Sequence, residues 1–209
     1  MTTEGPSRSP RRAPTAAERR RDAERSRQAL LDAALDEFSA KGFDGARVQE
    51  IADRAGVNKQ LITYYFGGKE GLYQEIQRSW PATEAERADP NLPLAETAAR
   101  YLAAILDDPR PARLLVWRGL TGSGAEADYL EGAETVDADL ANLGRAQERG
   151  EIAAGLDPAF VRMALMGAIL APVMLPETAL QATGKVPGST EFAEYYEAQL
   201  RELVRLLGR

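Results

Sequence analysis

Residues 46–72 constrain the fold more than any other stretch, because they carry two short helical patterns joined by a glycine. The first pattern predicts a helix from residue 48 to residue 55, and the second predicts a helix from about residue 58 or 59 to residue 66. Gly56 lies between them, where a helix end favours a residue that tolerates a positive φ. Two helices joined by so short a turn form the helix-turn-helix pattern, whose second helix enters the major groove of DNA.

The second of these helices has an apolar face and a polar face. The side chains predicted to form the core of the motif are Ile51, Val57, Ile62 and Phe66. Lys59, Gln60 and Leu61 lie at its N-terminal part, which reaches base edges in such motifs. A lysine can donate to guanine, a glutamine can pair with adenine, and a leucine can contact a thymine methyl. The alternative is that the two polar side chains are only solvated and that Leu61 packs inside.

Composition excludes several classes of function. The chain has 209 residues and contains neither cysteine nor histidine. It therefore lacks the residues for disulfides and thiolate metal sites, and it lacks the commonest general base. No apolar run approaches the roughly eighteen residues of a membrane span, and the arginine- and proline-rich N-terminus does not resemble a secretory signal. We predict no catalytic residue, no metal, no cofactor and no membrane partner, and we expect the protein in the bacterial cytoplasm.

The net charge of −6 is unevenly distributed along the chain. Residues 1–80 carry fourteen basic and twelve acidic side chains, whereas residues 81–209 carry twelve basic and twenty acidic ones. A mildly basic head on an acidic body suits a protein in which only the head meets phosphate groups.

The segment before the motif predicts an arm and a long helix. Residues 1–14 are rich in arginine and proline and are predicted to be disordered, either contacting DNA or remaining a solvated tail. Thr15 and Glu18 have the spacing of a capping box, so a helix is predicted to begin near residue 16. Its apolar stripe continues to Gly42, which is predicted to end it.

The segments after the motif also predict helices. A helix is expected from Lys69 to about Trp80, linking head to body. Five further helices are predicted at residues 94–106, 110–120, 126–149, 158–175 and 190–207. Residues 176–189 are predicted to form a loop with at most one helical turn around 178–181. No segment alternates with a period of two, so the predicted fold class is all-α.

The head resembles the N-terminal signature of the tetracycline-repressor (TetR) family. The residues that carry the resemblance are Ala33, Ala34, Phe38, Lys41, Gly42, Phe43, Ile51, Ala52, Ala55, Gly56, Val57, Lys59, Tyr64, Phe66, Lys69, Glu70 and Leu72. The similar region covers about residues 25–75. The resemblance implies a three-helix DNA-binding domain with a helix-turn-helix at residues 15–68 and a helical-bundle domain for effector binding and dimerisation at residues 69–209.

The resemblance also implies roles for single residues of the head. Thr63, Tyr64 and Tyr65 match positions that hydrogen-bond phosphates, although the family commonly has tyrosine where this chain has Thr63. Lys69 would meet a phosphate at the start of the fourth helix. Arg47 stands where the family usually has a small hydroxyl residue that caps a helix. An arginine there gives up the cap but could gain a phosphate contact.

For the body, the resemblance implies an effector pocket and a homodimer formed by the last two long helices. Large apolar or flexible side chains suit such a pocket, and the candidates are Tyr101, Trp117, Leu120, Tyr129, Met163, Met166 and Leu170. A stripe of small residues would let two helices approach closely in an intersubunit four-helix bundle: Ala164, Gly167, Ala168 and Ala171. The alternative is that these faces only close the core of one monomer.

The expected function is a ligand-responsive transcriptional repressor that binds a palindromic operator as a homodimer and is released by a small apolar or aromatic effector. The alternative is a DNA-binding activator or architectural protein without a ligand, and a sealed body would favour it. A helical-bundle enzyme is disfavoured, because di-metal bundles need Glu-x-x-His pairs and the chain has no histidine.

Overall fold

The computed structural model describes residues 15–78, 89, 91–121 and 133–209, and within these ranges the chain is all-α, as predicted. The helices are α1 (Ala16–Gly45), α2 (Val48–Ala55), α3 (Gln60–Phe66), α4 (Lys69–Arg78), α5 (Leu94–Asp107), α6 (Arg110–Thr121), α7 (Ala133–Glu148), α8 (Pro158–Met174), α9 (Pro176–Thr183) and α10 (Thr190–Leu206). The predicted N-terminal arm, Trp80 and Tyr129 lie outside the described residues.

Helix α1 begins with the predicted capping box. The Glu18 N–H donates to Thr15 Oγ1 at 3.2 Å, and the Thr15 N–H donates to Glu18 Oε2 at 2.6 Å, so two donors that a helix start leaves unsatisfied are paired. The prediction that Gly42 ends this helix is only partly right. Gly42 has a φ of +69° and kinks the chain, but helical structure resumes as far as Gly45.

The head has its own hydrophobic core, built on the helix-turn-helix. Its fully buried side chains include Leu30, Phe38, Ile51, Ile62 and Leu72. Val57 and Phe66, predicted as core, are partly buried and pack against it. The core continues into α4 and also takes in Leu114 of α6, so a helix of the body is anchored in the head.

The body core surrounds α5, which packs against α8 and α10. Its most deeply buried members are Leu102, Ala146, Ile152, Val161 and Val204. Helices α5 and α10 are amphipathic, and each buries one apolar face in this core. By contrast, α8 is apolar almost all round, and several of its apolar side chains remain exposed outside the core.

Helix α9 corrects the predicted loop at residues 176–189. Pro176 suits a first helical turn and Glu177 suits the positive end of the helix dipole. None of its residues is buried, so it has no apolar stripe by which periodicity could have revealed it. Among the described residues no single helix is long and apolar enough to cross a membrane. Only α8 and α9 together reach that length, and they are bent by 91° relative to each other.

Candidate DNA-binding surface and effector cavity

Helix α3 presents a polar face to solvent, as the sequence predicted. Lys59, Gln60 and Thr63 are exposed, and Tyr64 is 78% exposed. The predictions did not include Asn58, whose Oδ1 accepts the Gln60 N–H at 2.8 Å. This bond caps the N-terminal end of α3, the end that reaches base edges, so Asn58 holds Gln60 in position.

Two of the predicted DNA contacts on α3 are partly committed to the protein. Leu61 and Tyr65 are half-buried and pack against the head core. The rings of Tyr64 and Tyr65 meet edge to face with centroids 5.1 Å apart. The exposed ring of Tyr64 therefore rests against the Tyr65 ring, which the core holds in place. This contact limits the directions in which the Tyr64 hydroxyl can point.

The start of α2 is held by Glu37 rather than by a capping side chain. Arg47 is exposed and makes no side-chain cap, as predicted. Its backbone N–H instead donates to Glu37 Oε1 at 3.4 Å. Glu37 is only 1% exposed, and Lys41 Nζ lies 2.7 Å from its carboxylate. Hydrogen bonds to Glu37 and then to Glu50 raise the pKa of Lys41, which keeps it charged beside the buried carboxylate.

Lys69 begins α4 at the edge of the same surface. Its ammonium lies 4.6 Å from the centroid of the Phe43 ring, and it donates to the carbonyl oxygen of Asp44 at 3.5 Å. The junction between α3 and α4 is unusually close at Gly71, where a Cβ would stand 1.8 Å from the carbonyl oxygen of Phe66. Only glycine fits there, so Gly71 sets how closely α4 follows the recognition helix.

The body contains a cavity of about 190 Å³ between α5, α6, α7 and α8. The residues that line it are Leu94, Thr97, Ala98, Tyr101, Ile105, Leu115, Asp139, Asn142, Leu143, Arg162, Leu165, Met166, Ile169 and Leu170. Three predicted pocket residues are among them: Tyr101, Met166 and Leu170. Within the described ranges no cluster of three or more carboxylates is placed to hold a metal ion.

The other predicted pocket residues lie elsewhere. Leu120 is 77% exposed and Met163 is 62% exposed, and neither lines the cavity. Tyr129 lies outside the described residues. Trp117 is half-buried against the head, so its proposed place in the pocket is corrected. Helical periodicity shows that each of these side chains lies on an apolar face of its own helix, but it does not show what that face meets.

The polar lining of the cavity was missed by sequence reasoning. Arg162 Nε donates to Asp139 Oδ2 at 3.0 Å, which places an ion pair between α8 and α7 at the cavity wall. One signal could have revealed it. Arg162 is the only charged residue between Pro158 and Met174, and a lone charge on an apolar helix needs a partner or a ligand.

Helix α6 has side chains in both the cavity and the head. Leu115 lines the cavity, whereas its neighbour Leu114 is fully buried in the head core. One helical turn further along, the Trp117 indole N–H donates to the carbonyl oxygen of Ser39, and its ring lies against Gly42. The cavity wall and the head–body contact therefore belong to one helix.

A network of ion pairs joins the start of α6 to the head. Arg110 donates through Nε and Nη2 to Asp108, and through Nη1 to Asp36 Oδ1 at 2.8 Å. The other carboxylate oxygen of Asp36 lies 3.5 Å from Arg54 Nη1 on α2. Hydrogen bonds from Arg110 lower the pKa of Asp108, despite the opposing effect of burial. Asp36 thus links the helix-turn-helix to the body through two arginines.

The outer faces of α8 and α10 expose apolar side chains. They are Phe160, Met163, Met174, Tyr195, Leu203 and Leu206. The predicted stripe of small residues divides between two surroundings. Ala164 and Gly167 are exposed on the outer face, whereas Ala168 and Ala171 are half-buried. The carbonyl oxygen of Ala168 accepts the Tyr196 hydroxyl at 2.8 Å.

Two family profiles match this arrangement of head and body. The profile "Bacterial regulatory proteins, tetR family" matches residues 30–76, and "Tetracyclin repressor-like, C-terminal domain" matches residues 93–205. The chain belongs to the TetR family. It is therefore a member of a family described as bacterial regulatory proteins, and its head is the helix-turn-helix domain of that family.

Relatives of this TetR-family regulator are also named as regulators. The chain is 37% identical over 125 residues to the HTH-type transcriptional regulator RutR of Escherichia coli, and the match spans 56% of this chain and 59% of RutR. It is 31% identical over 139 residues to the HTH-type transcriptional repressor SCO4008 of Streptomyces coelicolor, spanning 63% of this chain and 70% of that protein.

Solved structures share the fold. SCO4942 from Streptomyces coelicolor, described as a transcriptional regulator, superposes with a TM-score of 0.69 at 28% identity, covering 86% of this chain and 96% of that one. The ketosteroid transcriptional regulator KstR2 of Mycobacterium tuberculosis superposes with a TM-score of 0.65, covering 86% and 92%. At 20% identity, the likeness to KstR2 shows the fold alone.

Proposed function

We propose that this TetR-family chain is a ligand-responsive repressor that binds a palindromic operator as a homodimer and leaves it when a small effector occupies the body cavity. The observation that carries the proposal is helix α6, which supplies Leu115 to the cavity and Leu114 to the head core. A ligand that displaces α6 therefore also displaces α1 and the helix-turn-helix packed on it. Such a ligand must bind one arrangement of the two parts more tightly than the other.

Operator contact is proposed through the exposed face of the head. Lys59 and Gln60 lie at the capped start of α3, where base edges are read, and Leu61 would contact a thymine methyl with the part of its side chain left outside the core. The phosphate contacts are assigned to exposed or half-exposed side chains around them: Arg47, Thr63, Tyr64, Tyr65 and Lys69.

Dimerisation is proposed through the outer faces of α8 and α10. Phe160, Met163 and Gly167 lie three and four residues apart on α8, so they share one exposed face. An apolar face of this kind commonly marks a protein–protein interface. A two-fold dimer would present two α3 helices, which would read two half-sites about 34–36 Å apart in a palindromic operator.

The alternative is a DNA-binding activator or architectural protein without a ligand. Such a protein has no need for a space inside its body, and a fully packed bundle would serve it better. The cavity of about 190 Å³ favours the ligand-responsive function, because its lining combines apolar walls with a few convergent polar groups.

The proposal is tested by selecting an operator from random duplexes and measuring gel-shift affinity for that operator and for random DNA of equal length. We expect the operator to bind about 1,000-fold more tightly or better at physiological salt. A thermal-shift screen of small apolar and aromatic compounds follows. A compound at a hundred times its dissociation constant stabilises the folded protein by about 2.7 kcal/mol, and a true effector must weaken operator binding. Stabilising compounds that leave operator affinity unchanged would favour the ligand-free alternative.

A further inference from the structure

The body cavity is polar at one end and apolar at the other. The backbone N–H of Leu94 donates to Glu151, so the first turn of α5 lies beside the loop that leads into α8. Arg162 follows in the second turn of α8, and it reaches across to Asp139 of α7. Thr97 and Asn142 line the same end. The other end is lined by residues from the last turn of α5, the middle of α6 and the later turns of α8: Ile105, Leu115, Ile169 and Leu170.

Arg162 has donors to spare at the polar end. Its side chain is 19% exposed, and only Nε is engaged, by Asp139 Oδ2 at 3.0 Å. Across the described residues, no protein acceptor lies within hydrogen-bonding distance of Nη1 or Nη2. Neither atom is among the fully buried, unsatisfied side-chain atoms of these residues, so both are accessible to water. The two terminal amino groups of a guanidinium match the two oxygens of a carboxylate in spacing and direction.

We propose that the ligand of this cavity is a small organic acid whose carboxylate binds Nη1 and Nη2 of Arg162 and whose apolar body extends toward Leu115. The proposal names the effector class and so rests on the proposed function of the cavity as an effector site. A cavity of about 150 Å³ holds benzene. The observed 190 Å³ therefore has room for a ring of that size with one small polar substituent, such as a carboxylate.

One guanidinium can serve two carboxylates in this fold. Arg110 binds Asp108 with Nε and Nη2 and Asp36 with Nη1. Arg162 would bind Asp139 through Nε and the ligand through its terminal amino groups. A cationic ligand would have to take Asp139 away from Arg162 and would leave a partly buried guanidinium unpaired, which is costly. A neutral amide offers one oxygen in place of two and carries no negative charge, so it would lose the two parallel charge-assisted bonds.

The test compares four compounds of nearly equal size: benzoate, benzamide, benzyl alcohol and benzylamine. Each is titrated calorimetrically into the full-length protein at pH 7, where benzoate is ionised. We expect benzoate to bind about tenfold or more tightly than the other three. Preference for benzylamine, equal affinity for benzoate and benzamide, or no benzoate binding at millimolar concentration would each overturn the proposal.

Four variants test the role of Arg162. Arg162→Gln should abolish the preference for benzoate. Arg162→Lys, which keeps the charge without the fork, should retain part of it. Arg100→Gln changes the net charge equally on the exposed face of α5 and should leave the preference intact. Because Arg162→Gln strands the carboxylate of Asp139, the double variant Arg162→Gln/Asp139→Asn is measured beside it, with melting temperatures as the check on folding. If Arg162→Gln and the double variant both kept the full preference for benzoate, Arg162 would not be the residue that binds the carboxylate.

The orientation has its own readout. Leu115→Phe fills the apolar end, so it should weaken binding of 4-methylbenzoate far more than binding of benzoate. Equal losses would contradict the proposed direction of the ligand. Operator affinity separates this inference from the proposed function. If benzoate binds through Arg162 without weakening operator binding, the proposed acid-binding site is supported, but the proposed release of the operator by a ligand is wrong. If only uncharged compounds bind the cavity and release the operator, release stands and the acid proposal is wrong.

Discussion

The indole N–H of Trp117 donates to the carbonyl oxygen of Ser39 at 3.2 Å, and a Cβ on the neighbouring Gly42 would stand 3.1 Å from the same indole ring. Gly42 is also the point at which α1 is kinked by a positive φ of 69°. The contact between head and body is thus made where the first helix changes direction. A side chain at residue 42 would strain the backbone and press on the ring at once.

Replacing Trp117 by phenylalanine removes the hydrogen bond and keeps an aromatic ring. We expect the free energy of unfolding to fall by about 0.5–1.5 kcal/mol for the lost bond, with a further loss for the smaller ring. We also expect an effector to weaken operator binding less in this variant, because α6 holds α1 less firmly. Urea denaturation and gel shifts with and without effector measure the two effects. Leu120→Ala, an exposed change on the same helix, should alter neither, and an unaltered Trp117→Phe protein would remove this bond from the head–body contact.

Gly71 should tolerate no side chain. Its Cβ would stand 1.8 Å from the Phe66 carbonyl oxygen, a backbone atom that cannot move aside without shifting α3. We expect Gly71→Ala to cost about 3 kcal/mol or more in unfolding free energy and to weaken operator binding. Gly144→Ala is the matched control, since a Cβ there meets nothing within 4 Å and it lies inside α7. It should stabilise the protein by about 0.5–1 kcal/mol. Equal stability of the two variants would contradict the predicted clash.

Asp108 should make the stability of the protein sensitive to acid. Hydrogen bonds from Arg110 hold the pKa of Asp108 below its usual value in the folded state. As the pH falls, Asp108 therefore becomes protonated in the unfolded chain at a higher pH than in the folded protein. The stabilisation is complete above about pH 4 and is lost as the pH falls through the folded pKa. Asp108→Asn should lower stability at pH 7 and flatten its decline toward pH 3, as followed by urea denaturation. An Asp108→Asn protein whose stability declines toward pH 3 as steeply as that of the unchanged protein would refute the prediction.

Lys69 and Gln60 should affect operator binding in different ways. A phosphate contact contributes about 0.9 to the slope of log affinity against log salt, and a dimer carries this contact twice, so Lys69→Gln should flatten that slope by about 1.8 on every DNA sequence. Gln60→Ala should cost about 1–3 kcal/mol for each half-site of the operator and relax preference at one base pair in each. Lys185→Gln removes one positive charge from the body and should change neither quantity. Gel-shift titrations over a salt series decide, and a uniform loss across sequences for Gln60→Ala would count against base readout.

Gly167 should control dimerisation without affecting the monomer. It is exposed, and a Cβ there meets nothing within 4 Å. Gly167→Arg should therefore fold normally, because it also replaces a poor helix former by a better one. If the outer face of α8 forms the dimer, the arginine should block close helix approach and halve the mass measured by analytical ultracentrifugation. Gly144→Ala again serves as the control. A Gly167→Arg protein that remains dimeric would move the interface elsewhere.

The head could be predicted closely from sequence, because local rules and the core agree there. Gly56 adopts the left-handed conformation at the turn, with a φ of +67°, and Thr15 caps α1 as its spacing indicated. The role of Glu37 could not be predicted in the same way. Its position on α1 places it among buried residues, but the backbone N–H that it binds belongs to α2, ten residues further along the chain.

The cavity could be predicted only in part, because helix faces do not reveal their partners. On α6, Leu114 and Leu115 are adjacent in sequence, but Leu114 is buried in the head core and Leu115 lines the cavity. Trp117 contacts the head, as Leu114 does. Selecting large apolar residues therefore mixed the cavity lining with the head–body contact. The same selection passed over Arg162, whose side chain forms the polar end of the cavity.

The kink at Gly42 makes the part of α1 before it a lever. From Ala16 to the kink the helix is about 39 Å long at 1.5 Å per residue. Helix α6 contacts it at Asp36 and Ser39, close to the kink. A tilt of about 5° at that contact displaces the far end by about 3 Å, the length of a hydrogen bond. If the proposed effector tilts α6, a displacement too small to disturb the packing around Trp117 would therefore be larger at the arginine-rich start of α1, and a ligand with only a few contacts would be enough to move it.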